Sequence, residues 1–93
     1  MAYYNSNDFE QSYNHFIKSG EKGNNDAQYY LGLLYYQGNY VTKNFKEAYK
    51  WFKKSADNNN DNSKLFIAIM NYKGEYVQKN IKEAYMIIED IAN

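Results

Sequence analysis

The sequence predicts an all-helical array of repeated helix pairs, and three observations predict it. The chain repeats itself at a spacing of 36 residues. Apolar residues within each unit recur at steps of three and four. Proline is absent, so Gly and Asn must supply the breaks between elements.

The repeat shows in two segments. Residues 38–49 read GNYVTKNFKEAY and residues 74–85 read GEYVQKNIKEAY. Aligned without a gap, residues 27–57 and 63–93 agree at 11 of 31 positions, among them Tyr36/Tyr72, Gly38/Gly74, Asn44/Asn80 and Tyr49/Tyr85. The N-terminal stretch keeps the frame, because Phe9, Tyr13 and Phe16 fall on Phe45, Tyr49 and Phe52. A half repeat (8–25) therefore precedes two whole ones (26–61 and 62–93) in a single domain.

Five helices follow, at about 8–19, 26–37, 44–57, 62–73 and 80–92. In the third, Phe45, Ala48, Tyr49, Phe52 and Ala56 form one stripe, and Ile81, Ala84, Tyr85, Ile88 and Ala92 repeat it in the fifth. Asn44 with Glu47, and Asn80 with Glu83, have capping-box spacing. Asp8 with Gln11 is a weaker version. The second helix starts at Asn25 or Asp26. Gly38 and Gly74 suit left-handed C-terminal caps. The links are short, so neighbouring helices should run antiparallel.

The segment AQYYLGLLYYQGNYVTKNFKEAYKWFKKSA (27–56) resembles the Sel1-like repeat, a relative of the tetratricopeptide repeat. The resemblance rests on Ala27, Leu31-Gly32, Tyr35, Gly38, Val41, Asn44, Glu47-Ala48, Trp51 and Lys54-Ser55-Ala56. Asn44 stands for the family's capping Asp, Glu47 for Lys and Ser55 for Ala. The last repeat departs further, with Ile67-Ala68, Asn71 and Ile87 at the Leu-Gly, Tyr and Trp positions. The resemblance implies an α/α superhelix whose concave wall is lined by the first helix of each pair. It also implies a scaffold role in protein complexes.

Residue by residue, Gly32, Ala48 and Ala56 are small enough to let helix axes approach. Leu31, Tyr35 and Phe52 fill the space between helices, Trp51 lies against a neighbouring repeat, and Val41 folds its loop onto the core.

Chemistry is sparse. Without cysteine there is neither a disulfide nor a thiolate metal site. The single His15 has no second histidine and reads as a surface residue. No nucleophile elbow or phosphate-binding loop occurs. Glu47 and Glu83 have capping duties, and the adjacent Glu89 and Asp90 point apart on a helix. Catalytic residues, metal and cofactor are therefore all expected to be none, and the chain is not expected to be an enzyme. A formal charge of zero argues against non-specific nucleic-acid binding while leaving a local basic patch open. The N-terminus has no signal-peptide pattern and no segment is apolar enough to span a membrane, so a cytoplasmic protein is expected.

The aromatic content, 19% with 12 tyrosines, points instead to binding. In tetratricopeptide-like geometry Asp26, Tyr29, Leu33, Tyr36 and Gln37 line the concave side, joined by Asn62, Leu65, Ile69, Tyr72 and Lys73. Such aromatic and aliphatic anchors with a polar rim suit a protein partner. The alternative is that part of this set is core. The last repeat also turns more apolar, with LFIAIM and with Met86 and Ile87 in place of Lys50 and Trp51. A homodimer through helices 62–73 and 80–92, docking of a foreign protein, and mutual burial are three readings of that change. The expected function is a non-catalytic protein-interaction module. The alternative is a small stoichiometric inhibitor, such as an immunity protein or an antagonist of a defence nuclease.

Overall fold

The computed structural model describes residues 6–92, which hold five helices and no strand: α1 Ser6–Glu21, α2 Asn25–Gln37, α3 Phe45–Asp57, α4 Asp61–Lys73 and α5 Ile81–Ala92. Each helix packs on the next in chain order, giving an elongated body of 42 × 26 × 23 Å. This is the expected all-helical array.

Local chemistry sets most boundaries. Asn24, Asn44 and Asn60 are extended N-caps whose side-chain oxygens accept from the backbone N–H of Ala27, Glu47 and Ser63. Asn80 Oδ1 accepts from Glu83 N–H at 2.9 Å in the same way. The capping boxes form only this half. The Asn44 and Asn80 N–H groups donate instead to the Tyr35 and Asn71 carbonyls, at 2.9 and 2.8 Å, so the backbone of the previous helix takes the role expected of Glu47 and Glu83. At the N-terminus α1 is already helical at Ser6, so Asp8 lies inside the helix and is not its cap.

The 36-residue period extends to the backbone angles. Gly38 and Gly74 close α2 and α4 in the left-handed region, with φ of 74° and 75°. Tyr40 and Tyr76 follow at φ of 65° and 68°, and Gly23 and Asn59 occupy matching left-handed positions after α1 and α3. A Cβ at Gly38 would lie 3.1 Å from the Lys43 Cβ, so a side chain there would add a close contact to the strain of the positive φ.

The core sits where α2, α3 and α4 meet. Ala48, Phe52, Ile67 and Met70 are buried, with Tyr29, Leu33, Tyr36 and Phe66 packed against them. Gly32 faces the Phe52 ring so closely that a Cβ would fall 2.5 Å from two ring atoms. Phe52 and Phe66 stack with centroids 4.8 Å apart and planes within 7°. Trp51 is buried, and a Cβ on Gly20 would lie 3.3 Å from its ring, which puts the indole against the half repeat. Lys50 and Lys54 lie over its ring.

A polar seam fixes the register of the same layers. Gln28 donates from Nε2 to the Gly20 carbonyl at 2.8 Å, and Ser55 Oγ donates to the Asn25 carbonyl at 2.7 Å. Asn60 Nδ2 reaches Asn25 Oδ1 at 3.1 Å. The structure thus uses its many asparagines both to start helices and to tie one repeat to the next.

Candidate protein-binding surface

The residues expected to form one concave wall divide by repeat. Tyr29, Leu33 and Tyr36 on α2 are half-buried in the seam between repeats, where α4 covers them. The Tyr29 and Tyr36 rings lie 6.1 and 5.4 Å from that of Phe66. Their counterparts 36 residues on, Leu65, Ile69 and Tyr72, occupy the same stripe of α4, and there Leu65 and Tyr72 are 43% and 53% exposed. Asp26, Gln37, Asn62 and Lys73 are exposed. Asp26 accepts from Asn60 Nδ2 at 3.4 Å and Gln37 from Asn39 Nδ2 at 2.8 Å.

The same comparison holds for α3 and α5. Phe45 packs beside Tyr36 with centroids 5.3 Å apart, and Phe52 is fully buried. Their counterparts Ile81 and Ile88 are 42% and 43% exposed. The small residue of the stripe stays buried in both helices, as Ala48 and Ala84. Leu65, Ile69, Tyr72, Ile81 and Ile88 therefore reproduce, in order, the set Tyr29, Leu33, Tyr36, Phe45 and Phe52, of which Tyr29, Tyr36 and Phe52 hold the Phe66 ring. One copy of this apolar surface is filled and the other is open. Leaving the exposed side chains of this second copy in water forfeits about 25 cal/mol per Å² of apolar surface.

Two further surfaces involve other residues of α3, α4 and α5. A groove of about 690 Å³ runs between α3 and α5, over Lys64, Ile67 and Asn71 of α4. Beside it Lys46, Lys50, Lys53 and Lys54 surround Tyr49 and Tyr76. Neither surface was singled out from the sequence. The 36-residue frame was the available signal for the open end, and the spacing of lysines 46, 50, 53 and 54 on one helix was the signal for the second.

Among the described residues no cluster of three or more His, Asp or Glu side chains could hold a metal ion, and His15 is exposed. No helix among them is long and apolar enough to cross a membrane.

Two tyrosine hydroxyls of α2, Tyr35 and Tyr36, are perturbed by packing. Burial first, then the hydrogen bond to Glu75 Oε1 at 2.8 Å and the charge of that carboxylate, push the Tyr36 hydroxyl from its ordinary 10.0 up to about 12. Burial and a 2.6 Å hydrogen bond with Tyr13 raise Tyr35 as well. The folded chain holds the Tyr36 proton more tightly than the unfolded one. Its contribution to stability is complete below pH 10.0 and is lost as the pH rises towards about 12. Urea unfolding followed through that window should show a falling midpoint, and Tyr36→Phe should flatten the fall. An identical pH profile for the variant would place the Tyr36 hydroxyl outside the seam.

Comparison with known proteins fits this geometry. The Sel1 repeat family model matches residues 2–24, 25–60 and 63–87. A Sel1 repeat protein from Oxalobacter formigenes superposes with a TM-score of 0.80 at 34% identity, over 86% of this chain and 33% of that one. A protective antigen of uropathogenic Escherichia coli strains displaying an SLR fold gives 0.79 at 27% identity, over 83% of this chain and 16% of that one. The Helicobacter pylori cysteine rich protein B gives 0.83 at 25% identity, over 89% and 62%. The chain thus spans only a part of each of these proteins. No curated protein sequence matches it.

Proposed function

Because the chain belongs to the Sel1 repeat family, whose members are in general protein–protein interaction modules, we propose that it binds a partner protein through the apolar end formed by α4 and α5. The observation that carries this reading is the exposure of Leu65, Tyr72, Ile81 and Ile88, with Ile69 half-buried among them, at the positions whose equivalents one repeat earlier pack into the seam around Phe52 and Phe66.

The covered copy describes the occupant. Phe66 is presented by an α-helix and slots between Phe52, Tyr36 and Tyr29. A partner helix carrying an aromatic side chain among aliphatic ones satisfies the same surface, in the manner of helix-in-groove recognition. Ile81 and Ile88 are smaller than Phe45 and Phe52, so the open pocket is wider than the filled one. A large ring suits it.

The test is site-specific photo-crosslinking in the cells that make the protein. A benzophenone amino acid replaces Tyr72 in one variant and Tyr30, which stacks on Phe16 of α1 at 5.3 Å, in another. Adducts to a discrete protein from position 72, absent from position 30 and lost with Leu65→Asp or Ile88→Asp, are the expected result. Adducts from position 30 alone, or adducts that survive both aspartates, would overturn the assignment. Adducts to the chain's own mass would identify the partner as a second copy.

A further inference from the structure

The outer face of α3 carries a concentration of positive charge that the end-face reading does not use. Residues 43–57 hold five lysines against Glu47 and Asp57, in a chain whose formal charge is zero. Lys46, Lys50, Lys53 and Lys54 share a concavity with Tyr49 and Tyr76. Lys50 is 3.3 Å from the Glu47 carboxylate and Lys53 is 3.0 Å from that of Asp57, both as exposed pairs that hold their partners weakly. Among the described residues Lys46 and Lys54 pair with no carboxylate, and Lys54 rests over the Trp51 ring at 4.7 Å. The buried Ala48 and Phe52 hold the opposite side of the helix against the core, and the buried Trp51 lies beside the lysines.

The floor between the lysines is aromatic. The Tyr49 and Tyr76 rings lie 5.6 Å apart and tilted, and Tyr76 is 55% exposed although it sits at a left-handed φ of 68°. A tyrosine in that conformation is held there by the turn after Gly74, which is the repeat of the turn at Tyr40. The site therefore offers cations around an apolar patch on two separate elements.

We propose that this surface is a second docking site, which takes a short acidic segment of a protein, its carboxylates on Lys46, Lys50, Lys53 and Lys54 and an apolar side chain on Tyr49 and Tyr76. Charge complementarity sets the occupant, and the size of the patch narrows it. From Lys46 to Lys54 is about 12 Å along the helix axis at 1.5 Å per residue, the reach of a few extended residues. Beyond it, Asp57, Glu83 and Asp90 line the adjoining groove and would repel a longer polyanion. All eleven cationic side chains are lysine, which lacks the planar fork of arginine for paired phosphate oxygens and base edges. A nucleic-acid strand is thus the poorer fit.

The site is independent of the end face, and its test uses the intact chain with defined probes. A fluorescein-labelled peptide of Asp and Glu with one central Phe is titrated with the protein by anisotropy, beside a labelled oligothymidylate of equal charge. The peptide is expected to bind more tightly than the oligonucleotide and to weaken as salt shortens the Debye length to about 8 Å. The pair Lys46→Glu and Lys50→Glu should reduce affinity by about tenfold or more, with Lys46→Gln and Lys50→Gln as the milder version. The same charge change at Lys79 and Lys82 should leave it within about threefold. Tyr76→Asn keeps a residue that tolerates positive φ and should weaken binding of the Phe-containing peptide. Tighter binding of the oligonucleotide, equal losses from the two reversed pairs, or no loss from either would overturn the proposal. Thermal midpoints of all variants, expected near that of the parent, separate these outcomes from misfolding.

Discussion

Phe52→Ala is expected to remove about 3–5 kcal/mol of stability, the range for emptying a buried aromatic site. The ring is fully buried, stacked on Phe66 at 4.8 Å, with Tyr29 and Tyr36 at 6.1 and 6.2 Å. Its surroundings come from three helices, and polar ties such as Ser55 Oγ to the Asn25 carbonyl hold their register, so the cavity cannot simply collapse. A domain of 93 residues has roughly 5–14 kcal/mol in total. The variant should therefore unfold at markedly lower urea and lose more than about 15 °C in thermal midpoint, followed by circular dichroism at 222 nm. A loss below about 1.5 kcal/mol would mean that the seam between repeats is not the main source of cohesion.

Gly32→Ala is the second large effect, and it opposes intuition about helices. Alanine in place of a mid-helix glycine favours the helix by about 1 kcal/mol. Here the added Cβ would lie 2.5 Å from Cδ1 and Cε1 of Phe52 and 2.9 Å from Cγ. The ring has little room to retreat, because it is fully buried and stacked on Phe66 at 4.8 Å. Overpacking of this kind costs about 1–3 kcal/mol, so a net loss of stability is expected in place of a gain. The cause can be isolated by combining Gly32→Ala with Phe52→Leu, which shortens the obstacle. The double variant should be more stable than the two single effects predict, by about 0.5–3 kcal/mol of coupling. Additive effects, or a stabilised Gly32→Ala, would show that the helices are not held together at this point.

Much of the fold was legible because its signals are local. The glycine stops at 38 and 74, the asparagine starts at 44 and 80 and the 3–4 spacing of Phe45, Ala48, Tyr49 and Phe52 depend on nearby residues alone. The ends were less sharp where asparagines crowd. The sequence starts the second helix at Asn25 or Asp26, whereas Asn24 is the cap and the side chain of Asn25 is engaged by Asn58 and Asn60 across the repeat. Only tertiary contacts decide that. The start of α1 was misplaced because the Asp8–Gln11 spacing imitates a cap inside a helix already under way.

The surface proposed to bind a partner was legible as a stripe but not as a site. Tyr29, Leu33 and Tyr36 carry the same pattern as Leu65, Ile69 and Tyr72, and nothing within a repeat states whether a neighbour lies over it. Burial answers that, and it covers the first set while opening the second. The lysines of α3 were hidden for another reason. A chain-wide charge of zero averages them against the carboxylates of the other helices, although what a ligand meets is the local field.

The period of 36 residues has one more consequence, which concerns growth. Gly23 and Asn59, Asn24 and Asn60, Gly38 and Gly74, and Asn44 and Asn80 place the same punctuation at the same phase in successive units. A unit duplicated between residues 61 and 62 would meet, at both of its joins, a surface already shaped for it. The molecule can therefore lengthen by whole units without a new interface having to arise first, and each added unit would carry the open end outward unchanged in kind.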